Sequence, residues 1–142
     1  MFHYYQPTKI HFGAGQLNEL GHVCRGYGKT CFLVTTPDAP LQPLYERVKK
    51  LLDAEGISVI HFDKVEPNPS VEIVEQGFAM LKEQPADFVL AVGGGSSIDT
   101  AKAIAFANGK ESIDWDHLFN EYSSPFAYYP SYSEKHLPLL SV

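Results

Sequence analysis

The residues with the most chemical promise are three consecutive glycines followed by two serines and an acid, within AVGGGSSIDTAKAIA at 91–105. An apolar run, DFVLAV at 87–92, delivers the backbone to Gly93, Gly94 and Gly95. Glycine lets the chain turn at positive φ and lets a ligand approach the main chain closely. A helix is expected to start at about Ser96, so its free N–H groups and the positive end of its dipole face whatever sits over the loop. A diphosphate fits that description, with Ser96 and Ser97 adding hydroxyl donors. Ala101, Ala103 and Ala105 keep the helix slim enough to pack close to a sheet. The loop is neither GxGxxG nor a P-loop, because no GK[ST] follows. From the residues alone, a phosphate cradle and a tight structural turn both stand. Asp99, in the first turns of the helix, has two readings: a partner for the dipole, or an acceptor for a ribose or substrate hydroxyl.

Other reactive types form weaker patterns. Of the six histidines, His117 is the one a metal hypothesis would take, three residues from Asp114 on a possible helix and next to Asp116. Two or three ligands make no closed metal site, and the plainer role for Asp114 is a helix cap or a solvated charge. No Ser–His–Asp order is visible, and Ser96 and Ser97 are not in a GxSxG elbow. Cys24 and Cys31 are not in CxxC spacing and are expected to be reduced thiols. Tyrosines and Phe126 at 122–132 have almost no basic residues beside them, unlike single-strand nucleic-acid binders.

Elements able to position the glycine loop alternate along the chain. KIHF at 9–12 is expected as a short strand, and 16–25 as a short helix with Leu17, Leu20 and Val23 on one face. KTCFLVTT at 29–36 is a continuous apolar run, the pattern of a buried strand. A helix over 43–55 carries Leu44, Val48, Leu51 and Leu52, and ISVIHF at 57–62 is β-branched and strand-like. PNPS at 67–70 is a turn ending in an N-cap, Ser70, before a helix with Ile73, Val74, Phe78 and Leu81 on one side. After the glycine loop and its helix, 112–119 is expected as a further short helix, 120–136 as a long loop, and LPLLSV at 137–142 as a strand. On this count the glycine loop follows the fourth or fifth strand. Alternating strand and helix predict βαβ units around a parallel sheet, an α/β fold of Rossmann-like type.

Composition sets the outer bounds. The chain has 142 residues, 44% hydrophobic and 20% charged, with net charge −6. That is one globular domain with no basic tract of the kind a nucleic-acid binder needs. No apolar stretch approaches the ~18 residues of a membrane span, and MFHYYQPTKI lacks the regions of a secretory leader. The expected compartment is the cytoplasm, with no nucleic-acid or membrane partner.

Four motifs in register then resemble one family. GGGSSIDTAKAIA at 93–105 is similar to the cofactor segment of the iron-containing (group III) alcohol dehydrogenases, and PTKIHFGAGQLNEL at 7–20, VTT at 34–36 and PNPS at 67–70 match in order and spacing. The resemblance implies that Gly94, Gly95 and Ser96 contact the diphosphate of NAD or NADP. It places Asp99 near the nicotinamide end, Asn68 beside the adenosine and Thr36 facing the adenine ribose. Family members that prefer NAD often carry an aspartate where Thr36 stands. Here the nearest acid is Asp38, so both cofactors stay open, with the balance tilted to NADP.

By the same resemblance, the chain stops before a threonine- and glycine-rich loop and a helical domain. That domain would give one aspartate and three histidines to a divalent metal, iron or zinc. Small alcohols or aldehydes are the implied substrates, and the 142-residue piece alone is expected to be inactive. Leu137, Leu139 and Leu140 would then meet water, so a homodimer or looser self-association is expected. The alternatives are a non-catalytic nucleotide-binding remnant and a relative closer to glycerol dehydrogenase or dehydroquinate synthase, which share the glycine loop.

Overall fold

The computed structural model describes residues 8–121 and 133–142, with the side chain of 121 left aside. The aromatic stretch 122–132 therefore lies outside the described residues. Two apolar runs become the centre of the sheet. Strand β1 (Thr30–Val34) is buried beyond its first residue, and β3 (Phe88–Ala91) is buried throughout. Strands buried on both faces need no alternation of polar and apolar residues. Strand β2 (Ser58–Phe62) and the short β4 (Leu139–Ser141) flank them, and they are only partly covered. The order is β2-β1-β3-β4, and every pairing is parallel.

Helices cover both faces. Alternate side chains of β1 point to opposite sides. Phe32 and Val34 pack with helix α3 (Val71–Glu83) and helix α4 (Gly95–Ala107), whereas Cys31 and Leu33 pack with helix α1 (Leu20–Cys24) and helix α2 (Gln42–Asp53). The result is three layers, helix on sheet on helix. α2 begins one residue before and ends two before the expected span, and it turns Tyr45, Val48 and Leu52 inward. α3 starts where PNPS predicts: the Ser70 hydroxyl accepts the Ile73 N–H at 3.3 Å. α3 and α4 lie very close, since a methyl on Gly77 would collide with the Ile104 side chain. The small residues of α4 serve the same contact, with Ala101 and Ala105 buried.

Four expectations need correction. KIHF at 9–12 forms no strand: Ile10 is 81% and Phe12 96% exposed. Among the described residues no neighbouring strand pairs with it, and an unpaired extended segment has no ladder to hold it. The glycine loop consequently follows the third strand rather than the fourth or fifth. The segment at 16–25 begins as a 3₁₀ turn, Gln16–Glu19, before α1. Helix α5 (Trp115–Glu121) starts three residues later than expected and runs into the segment expected as a loop.

Candidate nucleotide-binding site

The winding of the sheet reverses between β1 and β3: the chain leaves β1 toward β2 on one side and leaves β3 toward β4 on the other. Open α/β sheets bind ligands outside the carboxyl ends of their strands at such a switch point. Three candidate segments converge there. Thr36 follows β1, Asn68 follows β2, and Gly94, Gly95 and Ser96 follow β3. The Val92 N–H donates to the Val34 carbonyl at 3.0 Å, which brings the ends of β1 and β3 together. The Asn68 N–H donates to Ser96 Oγ at 3.3 Å, tying the PNPS turn to the glycine loop. Asn68 sits at φ 56, a left-handed conformation that asparagine tolerates.

The three glycines differ in what demands them. Gly93 has φ 137, and a Cβ there would lie 2.8 Å from Ser97 Oγ, so the turn itself needs glycine. Gly94 caps α4 at φ −81 and ψ −169, values open to any residue. A Cβ on Gly94 or Gly95 would meet no atom within 4 Å. The protein's own backbone and packing therefore do not account for these two glycines. Open space over the amino end of a helix does, if another molecule fills it. The first intrahelical bond runs from the Ile98 N–H to the Gly94 carbonyl at 3.2 Å, so the N–H groups before it have no helical acceptor. Ser97 adds a fully buried hydroxyl that has no hydrogen-bond partner among the described residues. An orphaned buried hydroxyl costs about 1–3 kcal/mol unless something outside the chain meets it. Free amides with unfilled space over them fit the diphosphate of a dinucleotide.

Thr36 is half-buried, with its Oγ1 2.9 Å from the Tyr45 hydroxyl. Thr35, its buried neighbour, lies 2.8 Å from His61 Nε2. Burial, then the nearby Lys49 charge, holds the His61 pKa below the ordinary imidazole value. Asp38 is exposed beyond Pro37. Asp99 stands apart from this group. It is exposed on α4, pairs with Lys102 Nζ at 3.2 Å and lines a groove of about 440 Å³ with Phe106, His136 and Leu139. A wider cavity of about 610 Å³ lies elsewhere, between residues 8–27 and β4, and does not include the glycine loop.

The remaining candidates take plain roles. The Asp114 carboxylate accepts the His117 N–H at 2.9 Å, the bond of a helix cap. Among the described residues no three His, Cys, Asp or Glu side chains are grouped as metal ligands would be. Cys24 and Cys31 are buried and unbonded to each other; burial pushes the Cys24 thiol up to about 11 and Cys31 higher still. No helix among the described residues is long and apolar enough to cross a membrane. Sequence reasoning missed Tyr45 and His61 as parts of the site. Tyr45 and His61 carry no local motif, since their importance comes only from which threonine each one touches.

A parallel doubly wound sheet with an open glycine loop at its switch point defines a nucleotide-binding class of domain. The family model for iron-containing alcohol dehydrogenases matches residues 7–142, and the chain belongs to that family. It is 43% identical over 116 residues to the probable NADH-dependent butanol dehydrogenase 2 of Bacillus subtilis, covering 81% of this chain and 30% of that protein. It is 32% identical over 142 residues to NADH-dependent butanol dehydrogenase A of Clostridium acetobutylicum, covering 99% and 34%. The crystal structure of an iron-containing alcohol dehydrogenase from Thermotoga maritima superposes with a TM-score of 0.83 at 29% identity, covering 99% of this chain and 37% of that one. The chain thus spans about a third of the length of the relatives it matches.

Proposed function

We propose that this chain is the dinucleotide-binding portion of a metal-dependent alcohol dehydrogenase or aldehyde reductase, and that NAD or NADP seats its diphosphate on Gly94, Gly95 and Ser96. The observation that carries the proposal is the pair Gly94 and Gly95, which neither backbone conformation nor internal packing requires. The first-turn amides of α4 and the Ser96 hydroxyl would hold the diphosphate oxygens. Thr36 would meet the adenine ribose, Asn68 would border the adenosine, and Asp99 would lie toward the nicotinamide end. When bound, the dinucleotide supplies the centre that accepts or donates hydride. The names of the relatives support a small primary alcohol, or its aldehyde, as substrate. The described residues contain no grouped metal ligands, so a metal-dependent step would need ligands from outside them.

Thr36 carries no charge, so nothing at that position repels a ribose 2′-phosphate. Both cofactors are accordingly proposed to bind. The test is a titration of the chain with NAD, NADP and ADP-ribose beside a Gly94→Val variant. The unaltered chain is expected to bind all three, and the valine side chain to block them. Equal binding by the variant, or none by the unaltered chain, would remove the reading.

A further inference from the structure

The two threonines that leave β1 are held from behind by side chains of two other elements. Thr35 Oγ1 donates to the Thr36 carbonyl at 3.1 Å. A hydroxyl has one proton, so if that bond uses it, the oxygen accepts from His61 Nε2, 2.8 Å away. The proton of the neutral His61 ring then sits on Nε2. It stands on β2 opposite Leu33, with its ring edge-on to Tyr45 at a centroid distance of 6.1 Å. Tyr45 is fully buried on α2, and its hydroxyl lies 2.9 Å from Thr36 Oγ1. Either oxygen can be the donor; with the more acidic phenol donating, the Thr36 O–H is left for another acceptor.

We propose that His61 and Tyr45 form a two-sided clamp that positions Thr36 as a hydrogen-bond donor to the adenosine ribose, His61 acting as the Nε2–H tautomer. The proposal rests on the nucleotide reading above. Neither side chain touches the ligand; both are positioning residues. His61 fixes the backbone of Thr36 through Thr35, and Tyr45 fixes its hydroxyl rotor. The charged groups around His61 are Lys49 and Glu46 from α2 and Asp63 just past β2. Burial keeps the ring neutral near pH 7, and Nε2–H is a donor in both protonation states. The clamp accordingly persists as pH falls.

The experiment titrates ADP-ribose and inorganic diphosphate into the chain and into His61→Leu, His61→Gln and Tyr45→Phe, with thermal melting of each. ADP-ribose binding is expected to weaken about tenfold in His61→Leu and about three- to tenfold in Tyr45→Phe, the scale of one hydrogen bond. His61→Gln, whose amide N–H reaches Thr35, is expected to recover to within about threefold of the unaltered chain. Diphosphate binding, which involves no ribose, stays unchanged in all three. Ring ¹⁵N shifts of His61 in the unaltered chain are expected to report the Nε2–H tautomer. Undiminished ADP-ribose binding by His61→Leu, a glutamine variant no better than leucine, or an Nδ1–H ring overturns the clamp. If the unaltered chain binds diphosphate but not ADP-ribose, the clamp has no ribose to serve and falls. If it binds neither, the nucleotide reading falls first, and the clamp's ligand role falls with it.

Discussion

Two glycine-bearing turns at opposite ends of the sheet answer different demands. At the amino end, Gly28 has φ 148, and a methyl group on it would overlap Asp87. The Asp87 carboxylate there accepts the N–H groups of Lys29 at 2.7 Å and Thr30 at 2.9 Å, which staples the start of β1 to the start of β3. Everything about that glycine is explained by the protein itself. At the carboxyl end, Gly94 and Gly95 have no close neighbour, and Gly94 no unusual backbone angle. A glycine the fold requires and a glycine the fold does not require look alike in a sequence. The contrast between them supports the proposal that a ligand covers the second turn.

The comparison breaks first if the amino-end glycine proves dispensable. Gly28→Ala is expected to cost about 3 kcal/mol of stability, the sum of a strained left-handed residue and an overpacked contact. Chemical denaturation measures it, and a loss under about 1 kcal/mol would mean the turn relaxes freely. Gly94→Val is expected to do the reverse. Its melting temperature stays near that of the unaltered chain, while dinucleotide affinity falls by about 100-fold, equivalent to about 2.7 kcal/mol. A large loss of stability in that variant would show that the open space is needed by the fold.

Thr36→Asp sharpens the picture at the same edge. A carboxylate there accepts from a ribose 2′-hydroxyl and repels a 2′-phosphate, so the ratio of NAD to NADP affinity is expected to rise about tenfold. Paired titrations at one ionic strength check it, and an unchanged ratio would move the ribose away from Thr36. The smallest effect concerns pH. Folding lowers the His61 pKa, chiefly by burial, so the native state favours the neutral ring. That contribution is fully present above the unfolded value near 6.5 and is lost as pH falls through it toward the lower folded value. Because the ring is only half-buried, the loss between about pH 7 and pH 5 is expected to stay below about 1 kcal/mol. Stability curves of the chain and of His61→Gln should differ in slope only across that window.

Local signals carried much of this architecture. TCFLV and FVLA are apolar at every position but the first threonine, and both became interior strands. Ser70 caps α3 because a hydroxyl before an amphipathic stretch can meet the free N–H of Ile73 without help from elsewhere. KIHF misled because a strand needs a partner, and its four residues say nothing about whether one is present. Asp99 is legible as a residue of the motif, while its partner is not. Its place near the glycine loop in sequence was plain, but its carboxylate is on a side of α4 where Lys102 is the partner.

The amino-acid order by itself determined the alternation of strand and helix, the caps, and a glycine-rich turn at the mouth of a helix, because each depends on neighbours within a few positions. Tertiary structure alone decided the order β2-β1-β3-β4 and the meeting of Asn68 and Ser96. It also set His61 and Tyr45 behind the threonines, and it separated the glycine that shape demands from the two it leaves free. Those outcomes depend on contacts between residues far apart in the chain, whose free energy exists only once the sheet has brought them together.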